Sequence, residues 1–255
     1  MPEVNLVERG SQTAKNGFKN EADVIKKFNA WKTDAMAKAW LNAMGYTLDN
    51  IEYVKAIKVV GSYKADVQVR VRIIIKLKSQ EDIQNLQVKL VSNPQGFNQI
   101  DKRWVDKYVE LWNIPKDVIE ILKQFTGEIK PKLKKGLRDS RRMFLNEMDK
   151  KTQMKLLSFV EQNKFLIISD LLKGRGEFSA DWVLVILKTD GKVKWALKSI
   201  NEVMNLYSQG AIRISEQGSL KIGKIGMQRK GGDGGRDSAN MLQFKINPVE
   251  IFNIL

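Results

Sequence analysis

Cysteine and histidine are both absent from this chain of 255 residues. Without thiolate or imidazole there is no cysteine nucleophile, no histidine base, no zinc site of the usual kind and no disulfide. Any catalysis must run on carboxylates, amides, lysines and a hard cation held by oxygen. Long apolar runs are missing too: no stretch reaches the roughly 18 apolar residues that a membrane span needs. The opening MPEVNLVERGSQ also lacks the charged and apolar regions of a secretion signal. A cytoplasmic protein with no membrane partner is expected. At this length the chain can bury a full core, as one large domain or two small ones. Acidic residues are the scarce charge: 29 Asp and Glu stand against 44 Lys and Arg, a formal charge of +15 spread through the chain. A folded, basic protein suits a polyanionic ligand, although a ribosome-associated protein or a merely basic surface shares this composition.

Periodicity supplies the elements. From Asn20 to Gly45, Val24, Ile25, Phe28, Trp31, Trp40, Leu41 and Met44 recur mostly at helical spacing, which predicts one long amphipathic helix or a broken pair. After Ile51–Val60, the run Asp66–Leu77 alternates Val67, Val69, Val71, Ile73, Ile75 and Leu77 with Gln68, Arg70 and Arg72, a strand pattern. A polar turn over Lys78–Asp82 leads to a second strand, Gln84–Val91, and the two are expected to pair as a hairpin. A loop tipped by Phe97 follows, then helices over Trp104–Trp112 and Val118–Phe125 and a lysine-rich linker, Lys130–Lys135. Beyond it the pattern gives a helix over Arg141–Asn163, short strands at Phe165–Ser169 and Trp182–Leu187, and a helix at Ile200–Tyr207. A basic, glycine-rich loop between two strands occupies Gly223–Ile246. The six tryptophans fall mostly at apolar positions and read as core.

On the hairpin, Asp66 has the parity of the polar positions, and Gln87 and Lys89 lie opposite Leu86, Val88 and Leu90. Residues two apart share a face, so Asp66, Gln87 and Lys89 can converge on one side of the sheet across twenty intervening residues. An aspartate, an amide and a lysine in that arrangement can serve a metal-dependent phosphodiesterase. Asp66, the Gln87 amide and the Val88 carbonyl offer hard oxygen ligands for Mg2+, which polarises the phosphoryl oxygen and lowers the pKa of water. Lys89 holds the nucleophile and stabilises charge at phosphorus. The same residues also suit the solvated face of an ordinary amphipathic hairpin.

The run looks like the PD-(D/E)xK nuclease motif in the variant where glutamine replaces the second acid. The surrounding sequence resembles type II restriction endonucleases of the HinP type, which cut GCGC. The resembling segments are TAKNGFKNE (Thr13–Glu21), QVKLVSN (Gln87–Asn93), GFNQIDK (Gly96–Lys102), RRMF (Arg141–Phe144) and QRKGGDGGRDSANMLQFKI (Gln228–Ile246). By that resemblance Asp66, Gln87 and Lys89 are catalytic, and Glu21 is a further candidate metal ligand or supporting carboxylate. The family pattern prefers serine before the first aspartate, where this chain has Ala65.

Phosphate contacts position a nuclease on DNA but carry no sequence information, so base readers are also needed. In one candidate loop, Gln228, Arg229, Lys230, Asp233, Arg236 and Asn240 sit among glycines. Arg and Lys there can engage guanine, and an aspartate can accept from cytosine. The second candidate is Gly96–Lys102, in which Phe97 either wedges between base steps or packs under its own loop, with Gln99 and Lys102 reaching bases or phosphates. The expected fold is α/β, a mixed sheet flanked by helices with a C-terminal DNA-recognition subdomain. Residues 1–135 form the catalytic region and 136–255 the recognition region, unless the whole is one compact domain. The expected partner is double-stranded DNA, bound by a monomer or homodimer, with a cognate methyltransferase acting separately on the same site. The rivals are a non-catalytic DNA-binding protein on the same scaffold and a structure-specific repair nuclease.

Overall fold

The computed structural model describes residues 6–61, 63–75, 78–131, 137–189, 191–232 and 236–254. The chain divides into two compact units that interleave along the sequence. One contains Glu8–Gly96, Leu172–Met204 and Asn247–Leu255, and the other contains Phe97–Leu171 and Asn205–Ile246. The expected boundary after residue 135 falls inside the latter unit.

The former unit is built on a five-stranded sheet of order β1-β2-β3-β5-β6, with β1 Ile51–Lys58, β2 Val67–Ile75, β3 Lys78–Val91, β5 Trp182–Thr189 and β6 Lys192–Ser199. All neighbours are antiparallel except β3 and β5, so the sheet is mixed. The two strands pair as the alternation implied, and the pairing runs further than expected. Ile75 pairs with Lys78, and Lys78–Asp82, expected as the turn, are the start of a 14-residue strand. The polar residues Ser79, Gln80, Glu81 and Asp82 extend the ladder because their partners Ile74, Ile73, Arg72 and Val71 continue it on β2.

The N-terminal periodicity resolves as a broken pair, α1 Leu6–Asn29 and α2 Ala35–Ala43. The second helix starts where the Asp34 carboxylate accepts from the Ala37 N–H at 2.9 Å, an N-cap of the usual kind. Val24 and Phe28 of α1 and Trp40 and Leu41 of α2 pack in one cluster with Val54, Val67, Val69, Leu86, Val88, Leu184 and Ile186. Full burial of each such large side chain contributes about 1.5 to 3 kcal/mol, which fixes the register that the site needs.

The latter unit carries a second five-stranded antiparallel sheet, order β4-β10-β9-β8-β7, with β4 Asn98–Arg103, β7 Ile212–Ile214, β8 Leu220–Ile222, β9 Ile225–Arg229 and β10 Leu242–Ile246. Helices α3 Val105–Trp112 and α4 Lys116–Thr126 lie where the spacing put them. Tyr108, Trp112 and Phe244 form an aromatic core, with ring centroids 4.6 to 5.8 Å apart. Two sequence expectations fail here. The helix expected from Arg141 begins as α5 at Lys150, because Asp149 caps it and Leu145–Glu147 forms a separate 3-10 turn. The strand expected at Phe165–Ser169 is helix α6, Lys164–Leu172. Its buried residues Ile167, Ile168, Leu171 and Leu172 have helical spacing that the short apolar run alone could not separate from a strand. Helix α7, Ile200–Ser208, follows β6.

Candidate active site and nucleic-acid interface

Strand β3 is the centre of the first sheet, and its two edges are occupied differently. Towards β5, the Asp181 carboxylate accepts from the Asn85 N–H at 2.9 Å while the Asp181 N–H donates to the Asn85 carbonyl at 2.8 Å, which pins the start of the parallel pairing. Towards β2, the ladder stops at Val67 opposite Leu86. One residue beyond, the Asp66 N–H still donates to the Leu86 carbonyl at 2.8 Å. The next N–H on that edge, that of Val88, donates to the Asp66 carboxylate Oδ2 at 2.7 Å. The side chain of Asp66 thus takes the place of the missing strand partner, a charge-assisted bond that fixes its orientation.

A residue in a strand turns its N–H and C=O to the same edge, so the Val88 carbonyl faces the side on which Asp66 lies. Gln87 is buried, 3% exposed, and its Nε2 is directed at the Lys64 carbonyl at 3.4 Å, which leaves the amide oxygen as its free donor atom for a cation. Lys89 is half-buried on the face of Gln87, two residues along. One hydrogen bond thus joins Asp66 to Val88, and another joins Gln87 to Lys64. Ala65, which stands where the family pattern has serine, is buried at 3% exposure and places no hydroxyl there. Glu21 lies on α1 and is held by Lys58 Nζ at 3.1 Å. Lys58 itself pairs with Val67, the neighbour of Asp66. Among the described residues no group of three or more acidic side chains is arranged to hold a metal. A cation here would use one carboxylate, an amide oxygen and a backbone carbonyl, all hard ligands, and that donor set suits Mg2+. Lys64 and Asp181 were not legible as site residues, since their parts depend on register and on a contact 96 positions away in the chain.

A model of the R.HinP1I restriction endonuclease family matches residues 44–252. The chain belongs to that family. It is a site-specific endonuclease. A crystal structure of restriction endonuclease MspI in complex with its cognate DNA is similar in fold, with TM-score 0.64, 17% identity, and 95% of this chain and 94% of that chain covered. Comparison with curated proteins gives no significant match. No helix among the described residues is long and apolar enough to cross a membrane.

The expected DNA-contacting residues of this endonuclease sort onto different surfaces of the second sheet. Gly96–Lys102, expected as a loop, is mostly strand β4, paired with β10. Gln99 and Lys102 are therefore rigidly placed, while Phe97 precedes the strand and is 53% exposed, not packed beneath it. Lys221 Nζ lies 5.3 Å from the centre of its ring. Gln243 on β10 donates to Gln99 Oε1 at 2.5 Å and accepts from Gln228 Nε2 at 3.2 Å. The three amides form a ladder across β4, β10 and β9, and Lys102, opposite Gln243, shares its face. Gln228 and Arg229 end β9 and, being adjacent, face opposite ways. The Arg229 guanidinium gives two hydrogen bonds to Asn240 Oδ1, at 2.6 and 3.2 Å. Lys230 and Arg236 lie in the loop after β9, and Asp233 falls outside the described residues.

Proposed function

We propose that this chain is a type II restriction endonuclease that hydrolyses phosphodiester bonds of double-stranded DNA with Mg2+, at GCGC. A cognate methyltransferase would protect that site. The observation that carries the catalytic reading is the Asp66 carboxylate fixed on the Val88 N–H, beside Gln87 and Lys89 of the same strand. Asp66, the Gln87 oxygen and the Val88 carbonyl would hold the cation. When bound, Mg2+ supplies charge that polarises the phosphoryl oxygen and makes nearby water more acidic. The Lys89 ammonium donates to the attacking water or to a non-bridging oxygen and offsets the negative charge that grows at phosphorus. A P–O bond forms to the water oxygen as that water gives up a proton to solvent, a P–O ester bond breaks, and the departing alkoxide takes a proton from solvent. The amide ladder, Lys102, Lys230 and Arg236 support readout of base edges, with Phe97 exposed for insertion between steps. The GCGC specificity rests on the resemblance in the segments quoted above. Unmethylated plasmid incubated with the protein and Mg2+, followed by sequencing of the ends, tests the proposal. Ends at GCGC support it, and intact plasmid or ends at unrelated sequences refute it.

A further inference from the structure

The segment Arg138–Phe144 has no part in the chemistry above, yet it gathers an unusual concentration of positive charge. The Arg138 guanidinium carbon lies 3.9 Å from the centre of the Phe144 ring, and that of Arg142 also lies 3.9 Å from it. Arg138 pairs with Glu147 at 2.9 Å, and Arg141 gives two bonds to Asp139, at 2.9 and 3.1 Å, while its side chain stays 71% exposed. Arg142 and Arg229 fare differently. The nearest carboxylate to Arg142 Nε is that same Asp139, at 3.8 Å. The Nε atom itself is buried without a hydrogen-bond partner. Arg229 rests on the neutral amide of Asn240, with the Asp139 carboxylate acting on it only through its charge.

Gly127 lets the Arg141–Arg142 backbone and the Asn240 side chain approach closely. Its backbone adopts φ +90°, and a Cβ there would meet the Arg141 carbonyl at 3.0 Å, Asn240 Oδ1 at 3.4 Å and Arg142 Cβ at 3.5 Å. Arg138 pairs with Glu147, Arg141 and Arg142 share Asp139, and the Arg229 charge acts on Arg142 beside them. Burial and the neighbouring Arg229 charge pull the Arg142 pKa below its usual value, and burial and Arg141 do the same to Arg229. Burial is the larger cause of both shifts, and the Asp139 carboxylate opposes each.

We infer that Arg141, Arg142 and Arg229 form a clamp for a phosphodiester group of the DNA backbone, separate from base readout. The inference rests on the endonuclease reading. Guanidinium forks match phosphate oxygens in planar, bidentate geometry, and the Arg142 guanidinium is positioned 3.9 Å from the Phe144 ring centre, with Nη1 donating to the Phe125 carbonyl at 3.4 Å. Arg229 is accordingly a backbone contact, not a guanine reader.

The test is a salt titration of full-length protein on two duplexes, one containing GCGC and one without it, with Ca2+ replacing Mg2+. Arg141 is 71% exposed, so Arg141→Gln keeps the fold, and Arg142→Gln and Arg229→Gln complete the set. Each variant is expected to lose roughly tenfold affinity for both duplexes and to lower the slope of log K against log salt by about one, leaving the cognate preference unchanged. Loss confined to the GCGC duplex would assign the cluster to base readout and overturn the clamp. Unchanged slopes in Arg141→Gln and Arg229→Gln, with wild type binding normally, would overturn it as well. Wild-type protein that binds neither duplex would overturn the endonuclease reading, and the clamp with it.

Discussion

Replacing Asp66 by asparagine and, separately, by alanine divides its two tasks. In the structure Oδ2 both satisfies the Val88 N–H at 2.7 Å and belongs to the only carboxylate proposed to face the cation on that edge. Asparagine keeps an acceptor for that N–H but removes the charge. Alanine removes both and leaves a half-buried amide unpaired, at a cost of about 1 to 3 kcal/mol. For a chain of this size that cost corresponds to a fall in Tm of roughly 2 to 12 °C. The expected outcome is that both variants lose plasmid cleavage, that Asp66→Asn melts within a degree or two of wild type, and that only Asp66→Ala is clearly destabilised. Both retain preference for a GCGC duplex, because the amide ladder is untouched. The assays are plasmid nicking, calorimetric melting and fluorescence anisotropy. Normal turnover by Asp66→Asn would refute the site, and equal melting of the alanine variant and wild type would refute the structural role given to Oδ2.

Lys89→Ala should abolish cleavage and preserve specific binding, measured by the same nicking and anisotropy assays. Ca2+ should support binding without cutting, since it takes oxygen ligands at longer range and activates water poorly; efficient cleavage in Ca2+ alone or in EDTA would exclude the Mg2+ mechanism. Gln243→Leu should break the ladder to Gln99 and Gln228 and lower the ratio of cognate to random affinity by about tenfold, while the salt slope stays constant. The Arg141 hydrogen bonds hold the Asp139 carboxyl down from 3.8 to about 2. A depressed pKa contributes stability that is present above the unfolded value and lost as pH falls through the folded one. The difference in urea midpoint between wild type and Asp139→Asn should therefore persist at pH 5 and shrink towards pH 2. A difference independent of pH would assign the effect to packing.

Local alternation was enough to specify the hairpin, because β2 and β3 are neighbours in sequence and each shows its buried face as a period of two. The same holds for Phe28 and Trp40, whose spacing marks the core faces of α1 and α2, and for the glycine-rich loop flanked by β9 and β10. The chain by itself also carried the motif residues Asp66, Gln87 and Lys89, the resemblance around them and the positive charge. Tertiary structure decided the rest. The Asp66 carboxylate bonds the Val88 N–H only because β2 begins one residue later, and no sequence pattern states where a ladder stops. Asp181 anchors β3 from 96 residues away, through a parallel pairing that has no local signature. Helix α6 stands where a strand is expected because a short apolar run fits either period until its neighbours select one. Gln228 and Arg229, adjacent in sequence and alike as candidate readers, separate because successive strand residues face opposite sides. One joins an amide ladder, and the other turns to Asn240, near Arg141 and Arg142.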